Sequence, residues 1–532
     1  MFIRFFFVFS ICLFFYGCSK NQSVSNNVFR YNESSSINSL DPVYAKDQAS
    51  IWAVSQVFNG LVQFDNNLNI MPCIARDWAV DSSGTKYTFF LRKDVQFHES
   101  DFFHHGVRNV VAYDFVYSFN RIISKDIASP GAWVWNYIRK VYDLNDSTLV
   151  IELKDVFAPF LGLLTMPYFF VVPEEVIESG TFSDTPIGTG PFVYKIWKEN
   201  VRMVFVKNDH YFEEENGVSL PYLDGVAISF VRDKHIAFLN FIKGELDFIS
   251  GLEPKYKNEL LDSSDNVRSF YAHDFNFLSQ PYLNTEYLGF YMTGENAIPK
   301  SLRKAINYSI NKKDMIVYLR KGLGLSGDHS IVPPYMSEHY LTPNGYNYNL
   351  DSAKKYVAAF KSLNKEMEKP IILYTNSSYL DYCEFIQSEC EKTGIYIRIE
   401  VMPPSVLRQS ISNGKAPFFR ASWIADYSDP ENYYSLFYSE NFSPKGPNYT
   451  HFKSLDYDSL YLEALRVNSD SLRFDIYHKM DKILFDECPF VILFYDQIMV
   501  FIRKEIKNFY LNPMNFLSLK RVKKTNNLSL QR

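Results

Sequence analysis

The stretch FRASWIADYSDPENYY, Phe419 to Tyr434, passes from an apolar run into a helical pattern through a turn that carries two aspartates. Phe418, Phe419, Ala421, Trp423, Ile424 and Ala425 form a short apolar segment bounded by turn signals, the pattern of a buried strand. Asp429 precedes Pro430, Glu431 and the apolar-periodic Tyr433, Tyr434, Leu436 and Phe437. It is placed as a helix N-cap, with proline in the first turn and an acid facing the positive end of the helix dipole. Asp426 has no such duty. It ends the strand, and the carboxyl end of a buried strand is where open α/β sheets hold their ligands. The alternative for Asp426 is a turn aspartate satisfied by nearby backbone N–H groups.

The same alternation of strand and helix continues on both sides of this stretch. Helical stripes are expected from 48 to 63, from Ala112 to Ile123, in KSLRKAINYSIN, at Lys354 to Leu363, in SSYLDYCEFIQSECEKTG, from Asp456 to Val467 and from Ser471 to Phe485. Strands are expected in KYTFFLR, STLVIEL, DGVAISFV, EYLGFYMT, PIILYT and YIRIEVM, a hairpin in VYKIWKENVRMVFVKN, and two closing strands in PFVILFY and IMVFIR. The class is therefore α/β. With 532 residues the chain is expected to form two or three domains, and no internal repeat is visible.

Composition narrows the function. Hydrophobic residues make up 47% and charged residues 22%, as in a globular protein. A formal charge of −5 with interspersed signs argues against nucleic acid as a partner. The apolar run Phe5 to Tyr16 is too short to span a bilayer but suits a secretory signal, and Gly17-Cys18 at its end resembles the lipidation site of bacterial lipoproteins. Residues 1–17 then form the signal peptide, Cys18 carries the lipid and 18–28 form a tether. Cys73, Cys383, Cys390 and Cys488 show no zinc-ligand spacing, and Cys383 and Cys390 lie two helical turns apart, too far to bridge to each other. GxSxG and HExxH motifs are absent, so no hydrolase site is legible.

Four segments in this order resemble the extracellular solute-binding proteins of family 5, the peptide- and nickel-binding components of ABC importers. They are SLDP at Ser39; the block VFNGLVQFDNNLNIMPCIARDWAVDSSGTKYTFFLRKDVQFH from Val57 to His98; PIGTGPF at Pro186, followed by GELDF at Gly244; and WIADYSDP at Trp423. The closest motif match is to the oligopeptide-binding proteins. The resemblance implies a two-lobed periplasmic-binding-protein fold of type II, in its large three-subdomain variant, with a hinge and a ligand cleft between the lobes. It places the main domain of lobe I at 29–47, 184–283 and 497–526, an accessory subdomain at 48–183 and lobe II at 284–496.

It also implies a role for each candidate residue. Asp426 would receive the α-ammonium of a bound peptide, and a desolvated cation is tolerable only beside such a carboxylate. Arg420 matches a family arginine that meets the peptide carboxylate, the alternative being a strand-edge ion pair. Trp423 would line a side-chain pocket or pack in the core. Ser35, Ser36 and Ile37 on one lobe and Ser422, Trp423 and Ile424 on the other would pair with the peptide backbone as an added strand. The expectation is a monomeric, lipid-anchored, periplasmic receptor that delivers oligopeptides to an inner-membrane ABC permease, with no cofactor and no catalysis. The rival cargoes are haem, a nickel chelate or a sugar oligomer, and the rival class is an exported hydrolase. The inserted loop ESDFFHHGVRN sets Asp101, His104 and His105 near His98, where metal is imaginable but an exposed polar loop is expected.

Overall fold

The computed structural model describes residues 27–183, 185–252, 254–295, 297–336, 345–363 and 370–525. Cys18, the expected lipidation site, and the signal segment lie outside them. Long strands whose side chains alternate between two apolar faces draw the chain into a mixed sheet of 11 strands. In chain order its members are β1 (Val28–Asn32), β6 (Phe192–Lys198), β7 (Arg202–Lys207), β8 (Gly225–Ser229), β9 (Phe248–Ser250), β10 (Phe275–Phe290), β11 (Ile371–Thr375), β12 (Ile397–Val401), β13 (Phe418–Ile424) and β14 (Phe490–Arg503), with Leu325–Ser326 beside β14. The spatial order is β12-β11-β13-β10-β14-β9-β1-β8-β7-β6. Lys86–Leu91 (β3) buries alternate residues, Tyr87, Phe89 and Leu91, in a separate antiparallel sheet with β2 (Ala75–Val80), β4 (Ile138–Asn145) and β5 (Thr148–Leu153).

Helices cover both faces. Val28–Asn32 runs parallel to β8 and is followed by α1 (Gln48–Val57), whose Asp47 cap accepts from Ser50 N at 3.0 Å. On the other half, α3 (Lys300–Ser309), α4 (Lys312–Arg320), α5 (Leu350–Leu363) and α6 (Leu380–Glu391) pack over Leu288, Phe290, Leu373, Phe418 and Val491. Helix α2 (Ala112–Ile122) is pinned by Arg121, which donates to both oxygens of buried Asp41. That ion pair gives the aspartate of SLDP a structural purpose.

Two departures from the sequence reading concern the strands that join the halves. The two closing strands are one, β14, because Asp496 and Gln497 continue the extended backbone between PFVILFY and IMVFIR. EYLGFYMT is only the end of β10, which begins at Phe275 and shifts register between Pro281 and Thr285. Polar residues and a proline in that region hide the strand from periodicity, while pairing along β14 holds it extended. A helix at Lys312–Arg320 was also not expected; Asn311 caps it by accepting from Asp314 N at 3.2 Å. The register shift and the Asp496–Gln497 step fall together, so the two long strands are locally irregular where they cross from one half of the sheet to the other. The result is a two-lobed α/β fold of the type II kind.

The glycines of PIGTGPF are explained by close approach. A Cβ on Gly188 would sit 2.1 Å from Val57 O, and one on Gly190 would sit 2.4 Å from Val57 C. Gly190 N donates to Val57 O at 2.8 Å, so this loop lies directly on the end of α1. His98 closes the other side: its Nε2 lies 3.0 Å from Gly190 O, and its Nδ1 accepts from Gly188 N at 3.4 Å. Burial pushes the His98 pKa down to about 4, so the ring is neutral and serves as a hydrogen-bond bridge. His104 and His105 stand apart on an exposed turn.

Cys73, Cys383, Cys390 and Cys488 are free and buried, and no disulfide joins any two of them. No described helix is long and apolar enough to cross a membrane.

Candidate ligand site

Strand β13 delivers the opening stretch as a half-finished sheet edge. On one side every residue from Phe418 to Ile424 pairs with β10. On the other, β11 reaches it at a single bridge, Tyr374 to Phe419, and then departs. Ser422, Trp423 and Ile424 therefore have a strand edge without a neighbouring strand among the described residues, and Ile424 is 47% exposed. An open edge of this kind is a template for an added strand.

Asp426 stands just beyond that edge. Its backbone N donates to Asn432 Oδ1 at 3.1 Å, and Asn432 Nδ2 points back to its carboxylate at 3.5 Å. Asn432 Oδ1 also accepts from Trp423 Nε1 at 2.8 Å, so one amide fixes both Trp423 and Asp426. The carboxylate is open to solvent yet crowded by protein, and this desolvation pushes its pKa up to about 6. Among the described residues no basic group pairs with it.

Burial raises the pKa of Tyr168, Tyr433 and Tyr449, and the charge of Asp426 adds to the rise. Tyr168 belongs to the chain between β5 and β6, and its hydroxyl also feels Asp47, which in turn bears on Glu33 at the end of β1. The other segment expected to pair with a ligand, Ser35 to Ile37, follows the end of β1. There Ser35 and Ser36 are exposed and Ile37 is buried. Ser35 N donates to Glu33 Oε1 at 3.0 Å, and Ser36 Oγ donates to Asn200 Oδ1 at 3.0 Å. The backbone of Ser36, Ile37 and Asn38 makes no backbone hydrogen bond among the described residues. No hydrogen bond joins this segment to β13 among the described residues.

Asp429 has the separate, structural job read from the sequence, and more. Its Oδ1 accepts from Glu431 N at 2.9 Å, and the same carboxylate pairs with buried Arg473 at 2.5 Å. The helix it starts is a short one, Glu431–Tyr434, rather than a long amphipathic element.

Arg420 is not a free cation. It is buried, it pairs with buried Glu286 of β10 through a short contact, and its guanidinium carbon lies 3.1 Å from the Tyr379 ring centre. Burial raises the pKa of Glu286 and Arg420 opposes the rise. Asn284 bridges Glu286 to Asp496 with contacts of 3.2 Å to each, and Asp496 pairs with Arg320. Sequence reasoning missed Glu286, Tyr168 and Asn432. Asn432 was detectable in principle, lying in the quoted stretch itself; Glu286 and Tyr168 carry no local signal, since their roles depend on strand register and on an element from the other half.

Among the described residues, no three His, Cys, Asp or Glu side chains are grouped so as to hold a metal ion. The site thus consists of an open strand edge on β13 with an acid at its end that no described basic residue pairs. The chain belongs to the bacterial extracellular solute-binding proteins, family 5, whose model matches residues 69–445. It is 24% identical over 486 residues to the dipeptide-binding protein of Escherichia coli (strain K12), covering 86% of this chain and 87% of that one. It is 25% identical over 520 residues to heme-binding protein A of Haemophilus influenzae, covering 93% and 92%. The periplasmic binding protein DppA from Helicobacter pylori, solved in complex with the peptide STSA, superposes with a TM-score of 0.77 at 23% identity over 94% of this chain and 98% of the other.

Proposed function

We propose that this protein is the lipid-anchored receptor of an ABC importer, which closes around an oligopeptide and hands it to a membrane permease. The observation that carries the reading is Asp426: a desolvated carboxylate, free of basic partners among the described residues, at the end of an open strand edge. A peptide fits both features at once. Its α-ammonium neutralises the acid, and its backbone completes the sheet without regard to side chains. Closure follows from ligand contacts made to both lobes, with the hinge at the irregular crossing of β10 and β14. The domain boundaries given above, with lobe II from 284 to 496, belong to this proposal. The protein does no chemistry in this reading, and Cys18 holds it to the periplasmic side of the envelope as a monomer.

Native mass spectrometry of the purified protein tests the cargo. A distribution of peptide masses is expected; a single haem mass with a Soret band would instead favour the second reading, which rests on the Haemophilus relative.

The acid also predicts a pH profile. With a pKa of about 6 in the free protein, Asp426 is charged at pH 7.5 and binds fully. Affinity is expected to fall as pH drops below about 6, approaching tenfold per unit, because a peptide amine near pKa 8 stays protonated throughout. Binding near pH 6 should release a proton, which calorimetry in buffers of different ionisation enthalpy detects. For the free fold the sign is opposite: this proton is held more tightly than in the unfolded chain, so the group costs stability above pH 6 and the cost fades toward pH 4. An affinity flat from pH 7.5 to 5 would remove the acid from the site.

A further inference from the structure

The register of the site says which end of a peptide is read, given the peptide reading above. A ligand whose amine meets Asp426 starts at the carboxyl end of β13 and runs antiparallel to it along the open edge. From Ile424 back to Arg420 this edge is about 13 Å long at roughly 3.3 Å per residue, room for three or four residues. It ends in a wall, where β11 bridges β13 at Tyr374 and the Tyr379 ring covers Arg420. The terminal carboxylate of a short peptide arrives at this wall.

The wall offers no net positive charge. Arg420 is matched by Glu286, and behind it Arg320 is matched by Asp496, with Asn284 between the two acids. All four charges belong to side chains that are mostly buried, so none is readily rearranged toward solvent. Arg420 Nε and Asn284 Oδ1 are buried without a hydrogen-bond partner. They lie apart along the sheet, Arg420 opposite Leu288 and Asn284 opposite Ile424 in the pairing of β13 with β10. A carboxylate arriving here adds a third negative charge to two cations. A carboxamide or a continuing peptide bond adds none.

We infer that this receptor reads a short peptide at one end only: the amine at Asp426 is required, and the C-terminal carboxylate is not. C-terminally amidated or extended peptides are then ligands equal to free acids, which separates this site from one built to measure a peptide between two opposite charges.

Isothermal titration of the purified full chain with trialanine, trialanine amide and N-acetyl-trialanine tests this. Amidation is expected to change Kd by less than about fivefold, and acetylation to weaken binding by about 100-fold or more. A free acid that binds fivefold or more tightly than its amide overturns the inference while leaving the peptide reading intact. Failure of every free-amine peptide to bind overturns both. Glu286→Gln, which frees the Arg420 charge, is expected to turn the site toward the free acid by about fivefold or more. A folded Glu286→Gln protein with no such preference refutes the role given to Glu286; if that variant does not fold, the acid-to-amide ratio of the unaltered chain decides alone.

Discussion

Asp426→Ala is expected to weaken the binding of a free-amine peptide by about 3 kcal/mol or more, on the order of 100-fold. The size follows from what would be left behind. In the complex the ammonium has been taken out of water, and removing its only counter-charge leaves an isolated cation. The folded protein should not suffer, because the carboxylate makes one long contact, with Asn432, and its charged form is disfavoured by its surroundings. Thermal stability is therefore expected to hold or rise while affinity collapses. That combination separates a binding role from a structural one. Calorimetry with a free and an N-acetylated peptide completes a cycle: the acetylated ligand should bind equally weakly to both proteins. Unchanged affinity for the free peptide would end the assignment of Asp426 to the ammonium.

The second large effect concerns folding. Gly188→Ala is expected to destabilise the protein by about 3 kcal/mol or more, the upper end of overpacking effects, because the new methyl meets backbone rather than a flexible side chain. The obstructing atoms are Val57 O at 2.1 Å and the Phe58 ring at 2.6 Å. Neither yields without breaking the contact of this loop with α1, which also carries the Gly190 to Val57 hydrogen bond and the His98 bridge. Gly162→Ala is the control, since its added methyl would meet only Tyr427 Cβ at 4.0 Å. Urea unfolding followed by tryptophan fluorescence reads both. Equal midpoints for the two variants would show that the loop moves freely off the helix.

Much of this molecule is legible from its chain because local chemistry and long-range structure agree. Asp429 followed by Pro430 announces a helix start, and its side chain accepts from Glu431 N as that pattern requires. The alternation Tyr87, Phe89, Leu91 announces a strand with one buried face, and those three residues are buried. The reading failed where local pattern and tertiary pairing disagree. The first half of β10 carries Asn276, Gln280 and Pro281, a composition that suggests a loop. Its extended state is imposed by β14 along its length. Likewise, Asp496 and Gln497 look like a turn between two strands, and only the neighbouring strands keep them straight.

The sequence by itself determined most of the elements, the family and the position of the acid after β13, because apolar period, capping residues and short motifs act over a few neighbouring positions. Tertiary structure alone decided the charge that each candidate presents. Arg420 and Asp426 lie on one strand and the turn after it, and nothing nearby in the chain distinguishes a paired ion from an unpaired one. Glu286, 134 positions away and set next to Arg420 by the register of two antiparallel strands, neutralises the first. No described basic residue reaches the second. Coulomb energy depends on distance in space, and the fold, not the order of residues, sets that distance.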